Sequence, residues 1–363
     1  MSHYTLFLGA GASAAEGAPV QRDLFTCYFS DRERSPGDYQ WAQEVTEFFK
    51  RVFDTDVANL PAEHNLPTFE EVLGLIDLAI NRHEGLYGFP IDSADEPNLN
   101  LRVVRRSLVL VMADAIRRRV PAAAAIHNHM IEGLRAGGRL ENTSFITTNY
   151  DTLLDNAILD VAVPMEERSI GTVLDYGFGD LLPRSPLPLR ETHSFPLYKI
   201  HGSLNWLHCL VCSDLVITYG DDIITRLERD PDTVRCQRCD GMREPIIVPP
   251  TYYKDLSNVY LSVVWNRAAR ALRDCVHLVV CGYSLPDADM HIKYLIKTAQ
   301  MNRPATNERL RITLVNAYDG RSPEQAEAEL QRYRRNFGQE VVRDSGMTFA
   351  KFAEDPGTVL KLE

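Results

Sequence analysis

No stretch of this sequence is apolar for long enough to cross a bilayer. The longest run lies around Leu108 to Ala113, far short of the roughly 20 residues that a spanning helix needs. There is also no surplus of positive charge. The 363 residues carry 39 Lys and Arg against 50 Asp and Glu, a net charge of −11. That balance repels phosphate backbones and anionic lipid, so it argues against direct nucleic-acid binding and against a membrane-bound protein. The basic cluster Arg117-Arg118-Arg119 closes an apolar helical pattern, where cations suit the helix dipole. No basic region precedes the first apolar run, as a signal peptide would require, so the chain is expected in the cytoplasm. Internal repeats and low-complexity segments are lacking as well. Cysteine is scarce and odd in number, at seven, and a cytoplasmic thiol pool would keep it reduced. What is present is ordinary globular composition, 45% hydrophobic and 25% charged, in a chain long enough for more than one subdomain.

The chain begins with a short apolar run, Tyr4 to Leu8, followed at once by Gly9-Ala10-Gly11-Ala12-Ser13-Ala14. An apolar strand, a glycine turn and a small-residue helix start offer backbone N–H groups to a diphosphate. Larger side chains would hold the phosphate away from the backbone. A tight strand-to-helix turn with no ligand has the same composition, so this stretch alone decides nothing. Arg22 reads equally as a phosphate or ribose ligand and as a solvated helix arginine. Leu24 to Phe29, followed by Asp31, reads either as a second strand ending in a ribose-binding acid or as a helix.

From residue 24 to 140 the pattern is helical. Trp41, Val45, Phe48, Phe49 and Val52 recur at helical spacing, and Thr68-Phe69-Glu70-Glu71 has the form of a capping box. Long helices are predicted over 100–120 and 123–136, and the whole segment reads as an insertion beside a nucleotide fold. His127 and His129 have no ligand-type neighbours and read as structural. Strands return at Thr143 to Thr147, Leu197 to Ile200, Val276 to Cys281 and Arg311 to Val315. Polar residues stand at their carboxyl ends, where open α/β sheets bind ligands. After the first comes Thr148-Asn149-Tyr150-Asp151, an amide and a carboxylate suited to a ribose, although Asp151 also suits the N-cap of the next helix. After the second comes His201-Gly202, a candidate general base. Gly282 and Ser284 follow the third as phosphate ligands, and Asn316 ends the fourth, placed for an adenosine ribose. The proline-rich segment 160–196 reads as a lid or binding loop.

Cys209-x-x-Cys212 and Cys236-x-x-Cys239 form two tight pairs. In a reduced compartment this spacing indicates a structural zinc whose four thiolates leave no open catalytic position. Cys27, Cys275 and Cys281 read as buried apolar residues. The predicted organisation is therefore a Rossmann-like α/β domain (1–23, 141–200 and 246–363) with a parallel sheet, a helical insertion (24–140) and a small zinc-binding module (201–245).

These pieces, in this order, resemble the sirtuin family. Gly9-Ala10-Gly11-Ala12-Ser13 matches its first loop, and Gly17-Ala18-Pro19-Val20-Gln21-Arg22 is similar to its Gly-Ile-Pro-Asp-Phe-Arg. Thr148-Asn149-Tyr150-Asp151 looks like Gln-Asn-Ile-Asp, with Thr148 in place of the glutamine. His201-Gly202, the four cysteines, Gly282-Tyr283-Ser284 and Val315-Asn316 match the remaining motifs in sequence order. The resemblance implies NAD as substrate, with Asn149, Asp151 and His201 catalytic. It implies that Gly9, Ala10, Gly11, Ser13, Arg22, Thr148, Gly282, Ser284 and Asn316 bind the dinucleotide. Two departures stand out. Val248-Pro249-Pro250-Thr251-Tyr252-Tyr253 replaces the Phe-Gly-Glu segment that lines the acyl-peptide cleft of the family's deacylases, and the helical insertion is larger than usual. Both look like the bacterial defence-associated branch, which hydrolyses NAD to deplete an infected cell. That branch implies a homo-oligomer and a defence partner, an ATPase or a nucleic-acid sensor. An NAD-dependent protein deacylase and a non-catalytic NAD- or ADP-ribose-sensing subunit are the alternatives.

Overall fold

The computed structural model describes residues 4–30, 39–59, 66–86, 88–92, 100–120, 125–162, 173–179, 194–218, 223–229, 231–248, 258–287, 289–304, 309–318 and 321–360. The strands among them are β1 (Tyr4–Leu8), β2 (Thr143–Thr147), β3 (Leu174–Asp175), β4 (Phe195–Lys199), β5 (Gly202–Cys209), β6 (Leu215–Ile217), β7 (Arg243–Ile247), β8 (His277–Cys281), β9 (Arg311–Val315) and β10 (Val342–Asp344). Seven form one sheet in the order β10-β9-β8-β1-β2-β4-β3. Every pair in it is parallel. The unbroken apolar character of β1 and β8 follows from this position, because a central parallel strand is covered on both faces.

The chain runs outward from β1 to β2 and β4. It then returns to β8 on the other side of β1 and continues to β9 and β10. Reversing direction at β1 opens a crevice beyond the carboxyl ends of β1 and β8. This is the expected α/β architecture with a parallel sheet.

The helices are α1 (Ala10–Ala14), α2 (Leu24–Phe29), α3 (Gln40–Val52), α4 (Phe69–Asn81), α5 (Leu101–Arg119), α6 (Ala125–Ala136), α7 (Leu153–Ala162), α8 (Ile223–Arg229), α9 (Val259–Asp274), α10 (Met290–Met301), α11 (Pro323–Phe337) and α12 (Phe349–Glu354). Leu24 to Phe29 is thus a helix, and no strand is described between β1 and β2. The capping box at Thr68 forms as expected: its hydroxyl accepts from the Glu71 amide, and the Glu71 carboxylate accepts from the Thr68 amide.

Two cores result. The helices α2 to α5 bury Phe25, Phe48, Phe49, Phe69 and Leu108 in a core separate from that of the sheet. The antiparallel sheet β6-β5-β7 contributes Leu204, Leu207 and Ile247 to that second core. The insertion and the cysteine-bearing module therefore pack as one layer against each other. Helix α6 departs from the predicted insertion over 24–140. Its Met130, Ile131 and Leu134 join the sheet core, and it packs on α7 and α12. Apolar spacing shows that a helix has a buried face but not which core that face meets.

Candidate functional site

The glycine turn after β1 and the turn after β8 interlock. The Gly9 amide donates to the Cys281 carbonyl (2.9 Å), and the Gly11 amide donates to the Gly282 carbonyl (2.8 Å). Gly282 lies at φ +64, and a Cβ there would stand 2.2 Å from the Ala12 nitrogen. The N–H groups of Gly9 and Gly11 are therefore spent inside the fold, which corrects the expectation that both face a diphosphate. A turn that receives a second turn needs small residues for the same steric reason as one that receives a phosphate.

A cavity of about 450 Å³ opens beside these turns, at the carboxyl ends of β1, β2 and β8. Among the residues singled out in the sequence, Ala10, Gly11, Ser13, Arg22, Thr148 and Asn149 line it. So do Asp151, His201, Gly282, Ser284 and Asn316. Gly9 lies behind this wall. Arg22 sits at the open side, with its side chain 80% exposed and 3.5 Å from Asp23. The Val248–Tyr253 departure falls largely on residues 249–257, and the predicted lid falls largely on 163–172 and 180–193. Both lie outside the described residues.

One hydrogen-bonded chain fixes the amide. Asn149 Nδ2 donates to the Gly9 carbonyl (2.9 Å) and to Ser13 Oγ (2.8 Å). Ser13 Oγ donates in turn to Asp151 Oδ2 at 2.7 Å. A carboxylate only accepts, so the serine proton is committed and its lone pair takes the amide hydrogen. Both Asn149 hydrogens are then used, and its Oδ1 is the atom available to a ligand. The two readings of Asp151 hold together, because its Oδ1 also accepts from the Leu153 amide (3.1 Å) at the start of α7. Beneath the turn, buried Lys199 donates to the Asp151 carbonyl (2.5 Å) and to Asp155 Oδ2 (2.8 Å).

His201 enters from the end of β4, 2% exposed, with the Tyr150 ring 6.4 Å from its own. Its Nε2 stands 4.0 Å from Oδ2 of Asp289, which is fully buried and also lines the cavity. Tyr283 donates to the same oxygen at 2.5 Å. Burial, followed by the Asp289 charge, pushes the Tyr283 hydroxyl well above its ordinary pKa. Burial also raises Tyr150, with the Glu70 and Asp289 charges next in size. Glu70 lines the cavity too, so the end around His201 carries two carboxylates. Sequence reading misses both, because Glu70 falls within a capping motif and Asp289 within a helix start.

Asn316, expected at an adenosine ribose, lines the cavity and is also held by the β8 turn. Its Nδ2 donates to the Tyr283 carbonyl (2.8 Å) and to Glu329, and its Oδ1 accepts from the Tyr283 amide (3.2 Å). It clamps the β8 turn, and the carboxylate of Glu329 lines the cavity beside it. Burial raises the Glu329 pKa against the lowering pull of Asn316 and Arg321. Glu329 lies on α11 beside the buried Tyr333 and Phe337, and a glutamate in a largely polar helix reads as part of its solvated face.

The four cysteine sulfurs lie within 4.8 Å of one another. The Cys209–Cys239 and Cys212–Cys236 separations are both 3.5 Å. Thiolates bound to a tetrahedral zinc at about 2.3 Å stand roughly 3.8 Å apart, so the set fits that ion. Backbone amides of Val211 and Cys212 point at the Cys209 sulfur, as a thiolate ligand needs. Elemental analysis should return one zinc per chain, and chelation should lower the melting temperature and expose β5 to β7 to hydrogen exchange. A zinc-free chain with unchanged melting would refute the assignment.

A SIR2-like domain family model matches residues 143–337. No curated protein matches the chain by sequence. Among solved structures, Sir2Tm bound to a propionylated peptide is 14% identical, with 96% of this chain and 90% of that one covered and a TM-score of 0.40. A Sir2 bound to acetylated peptide is 13% identical over 96% and 90%, with a TM-score of 0.41. A Sir2–p53 peptide–NAD+ complex is 14% identical over 96% and 90%, with a TM-score of 0.40.

Proposed function

The chain belongs to the SIR2-like domain family, and on that premise we propose that it is an NAD-dependent enzyme that hydrolyses NAD to nicotinamide and ADP-ribose. The observation that carries this reading is the convergence of Asn149, Asp151 and His201 on one cavity beside the interlocked turns. Nicotinamide leaves with the electron pair of its bond to ribose, and positive charge develops on the sugar. The fixed Oδ1 of Asn149 accepts a hydrogen bond from a ribose hydroxyl, and His201 Nε2 accepts a hydrogen of the attacking water. Asp151 acts through Ser13, holding the amide in that orientation. The resident carboxylate Glu70 favours the cationic sugar. Arg22, at the open side, suits the pyrophosphate, and Glu329 suits a hydroxyl of the distal ribose.

We place this activity in bacterial defence against phage, as depletion of NAD in the infected cell, on the resemblance described above. Unrestrained hydrolysis would kill a resting cell, so the chain is expected to gain full activity only on assembly, with itself or with a defence partner. Purified protein should release nicotinamide and ADP-ribose from NAD with no peptide present. Asn149→Ala and His201→Ala should each slow that release by roughly 100- to 10,000-fold. Release that requires an acyl-peptide would point instead to a deacylase, and binding without release to a sensor.

A further inference from the structure

Hydrolysis needs a group to take the proton of the attacking water. The residues matched to the family motifs supply one imidazole for that task, while the cavity holds a second acceptor that the sequence pattern does not mark. Asp289 lies at the start of α10, fully buried, with its Oδ2 4.0 Å from His201 Nε2. With the imidazole proton on Nδ1, both atoms would be acceptors, too far apart to bond each other and too close for a linear bridge. One water placed about 2.8 Å from each subtends roughly a right angle between them, close to the angle between its own two O–H bonds.

We propose that Asp289 is a further catalytic residue, which together with His201 grips the nucleophilic water by both of its hydrogens. The inference rests on the NAD-hydrolase reading above. With the imidazole proton on Nδ1, Nε2 and Oδ2 each accept one hydrogen, and the water lone pair is left to face the anomeric carbon. As the carbon–nitrogen bond to nicotinamide breaks, its electron pair leaves with the pyridine nitrogen. The water oxygen bonds to the anomeric carbon, and its released proton passes to Oδ2. The products are ADP-ribose, neutral nicotinamide and one proton, which Asp289 returns to solvent.

The surrounding structure holds this carboxylate still. Tyr283 donates to Oδ2, and the Asp289 amide donates to the Pro286 carbonyl (3.1 Å). In the segment before it, Gly282 lies at φ +64 and the buried Leu285 at φ +53. A residue with a side chain held in the left-handed region indicates a turn whose conformation is imposed by its packing.

Water capture and nicotinamide loss can be separated experimentally. Exchange of isotope-labelled nicotinamide into NAD breaks and re-forms the carbon–nitrogen bond without consuming water. Asp289→Asn keeps the size and the helix-start position. It should lower hydrolysis by roughly 100- to 1,000-fold while leaving nicotinamide exchange within a few-fold of wild type. Asp289→Ser serves as a second variant with the same expectation, and retained exchange itself reports a folded site. Equal losses of hydrolysis and exchange, or no loss of either, would overturn the proposal. If neither variant folds, the wild-type enzyme can be assayed in water–methanol mixtures. A site that holds the nucleophile by two hydrogens rejects methanol, so methyl ADP-ribose should form below the methanol mole fraction. Formation at or above that fraction would count against the grip. A wild-type enzyme that leaves NAD intact under every condition removes the hydrolase reading itself, which is a different result from any of these.

Discussion

Lys199→Met should destabilise the protein by about 3–5 kcal/mol, the usual cost of leaving one charge of a buried pair uncompensated. Lys199 is fully buried, and its ammonium donates to two acceptors, the Asp155 carboxylate and the Asp151 carbonyl. Asp155 is also buried and accepts from the Tyr176 hydroxyl at 2.5 Å. Methionine matches the lysine stem in shape but offers neither acceptor a proton. For a chain of this length, with unfolding entropy near 2.1 cal/mol/K per residue, that loss lowers the melting temperature by roughly 4–7 °C. Removing both charges, as in Lys199→Met with Asp155→Leu, should recover much of it, because the desolvation cost disappears with the pair. The second readout is catalytic. The Asp151 carbonyl loses its donor under the turn that carries Asn149, so turnover should fall further in the single variant than its stability alone explains. A single variant within about 1 kcal/mol of wild type would show that the pair contributes little.

The sheet can be read from the sequence because its strands are short apolar runs, and burial on both faces leaves composition little freedom. Tyr4–Leu8 and Thr143–Thr147 are strands with the bounds expected of them. Residues at strand ends are equally readable, since topology carries Asn149, Asp151 and His201 to one crevice without any help from side-chain detail. What stays hidden is of two kinds. Asp289 and Glu70 begin helices, where an acidic residue has an ordinary reason to be, and their second role depends on which way the helix start faces. Asn316 and Glu329 depend on contacts between elements distant in sequence, so the hold of a strand-end amide on the backbone of Tyr283 cannot be read from the strand alone. The glycines of the first turn are a third instance. Their smallness is legible, but the object they make room for is another stretch of the same chain.

That interlock leads to the prediction with the sharpest control. Gly282→Ala should abolish NAD binding and turnover and lower stability by more than its backbone conformation requires. A non-glycine residue in the left-handed region costs on the order of 1–2 kcal/mol. The added Cβ would also meet the Ala12 nitrogen at 2.2 Å and the Gly11 carbonyl carbon at 2.5 Å. Both are backbone atoms, so no side chain can rotate away, and the two turns must part. Parting moves the Gly9 carbonyl, which holds Asn149 Nδ2, and Ser13, which orients the same amide. Gly346 isolates the conformational cost, since it lies at φ +66 and a Cβ added there would meet nothing within 4 Å. Gly346→Ala should therefore lose about 1–2 kcal/mol and keep full activity. Denaturant unfolding and NAD titration of the two variants side by side separate conformation from collision. If Gly282→Ala behaves like Gly346→Ala, the turns do not depend on each other, and the placement of Asn149 must be fixed from β2 alone.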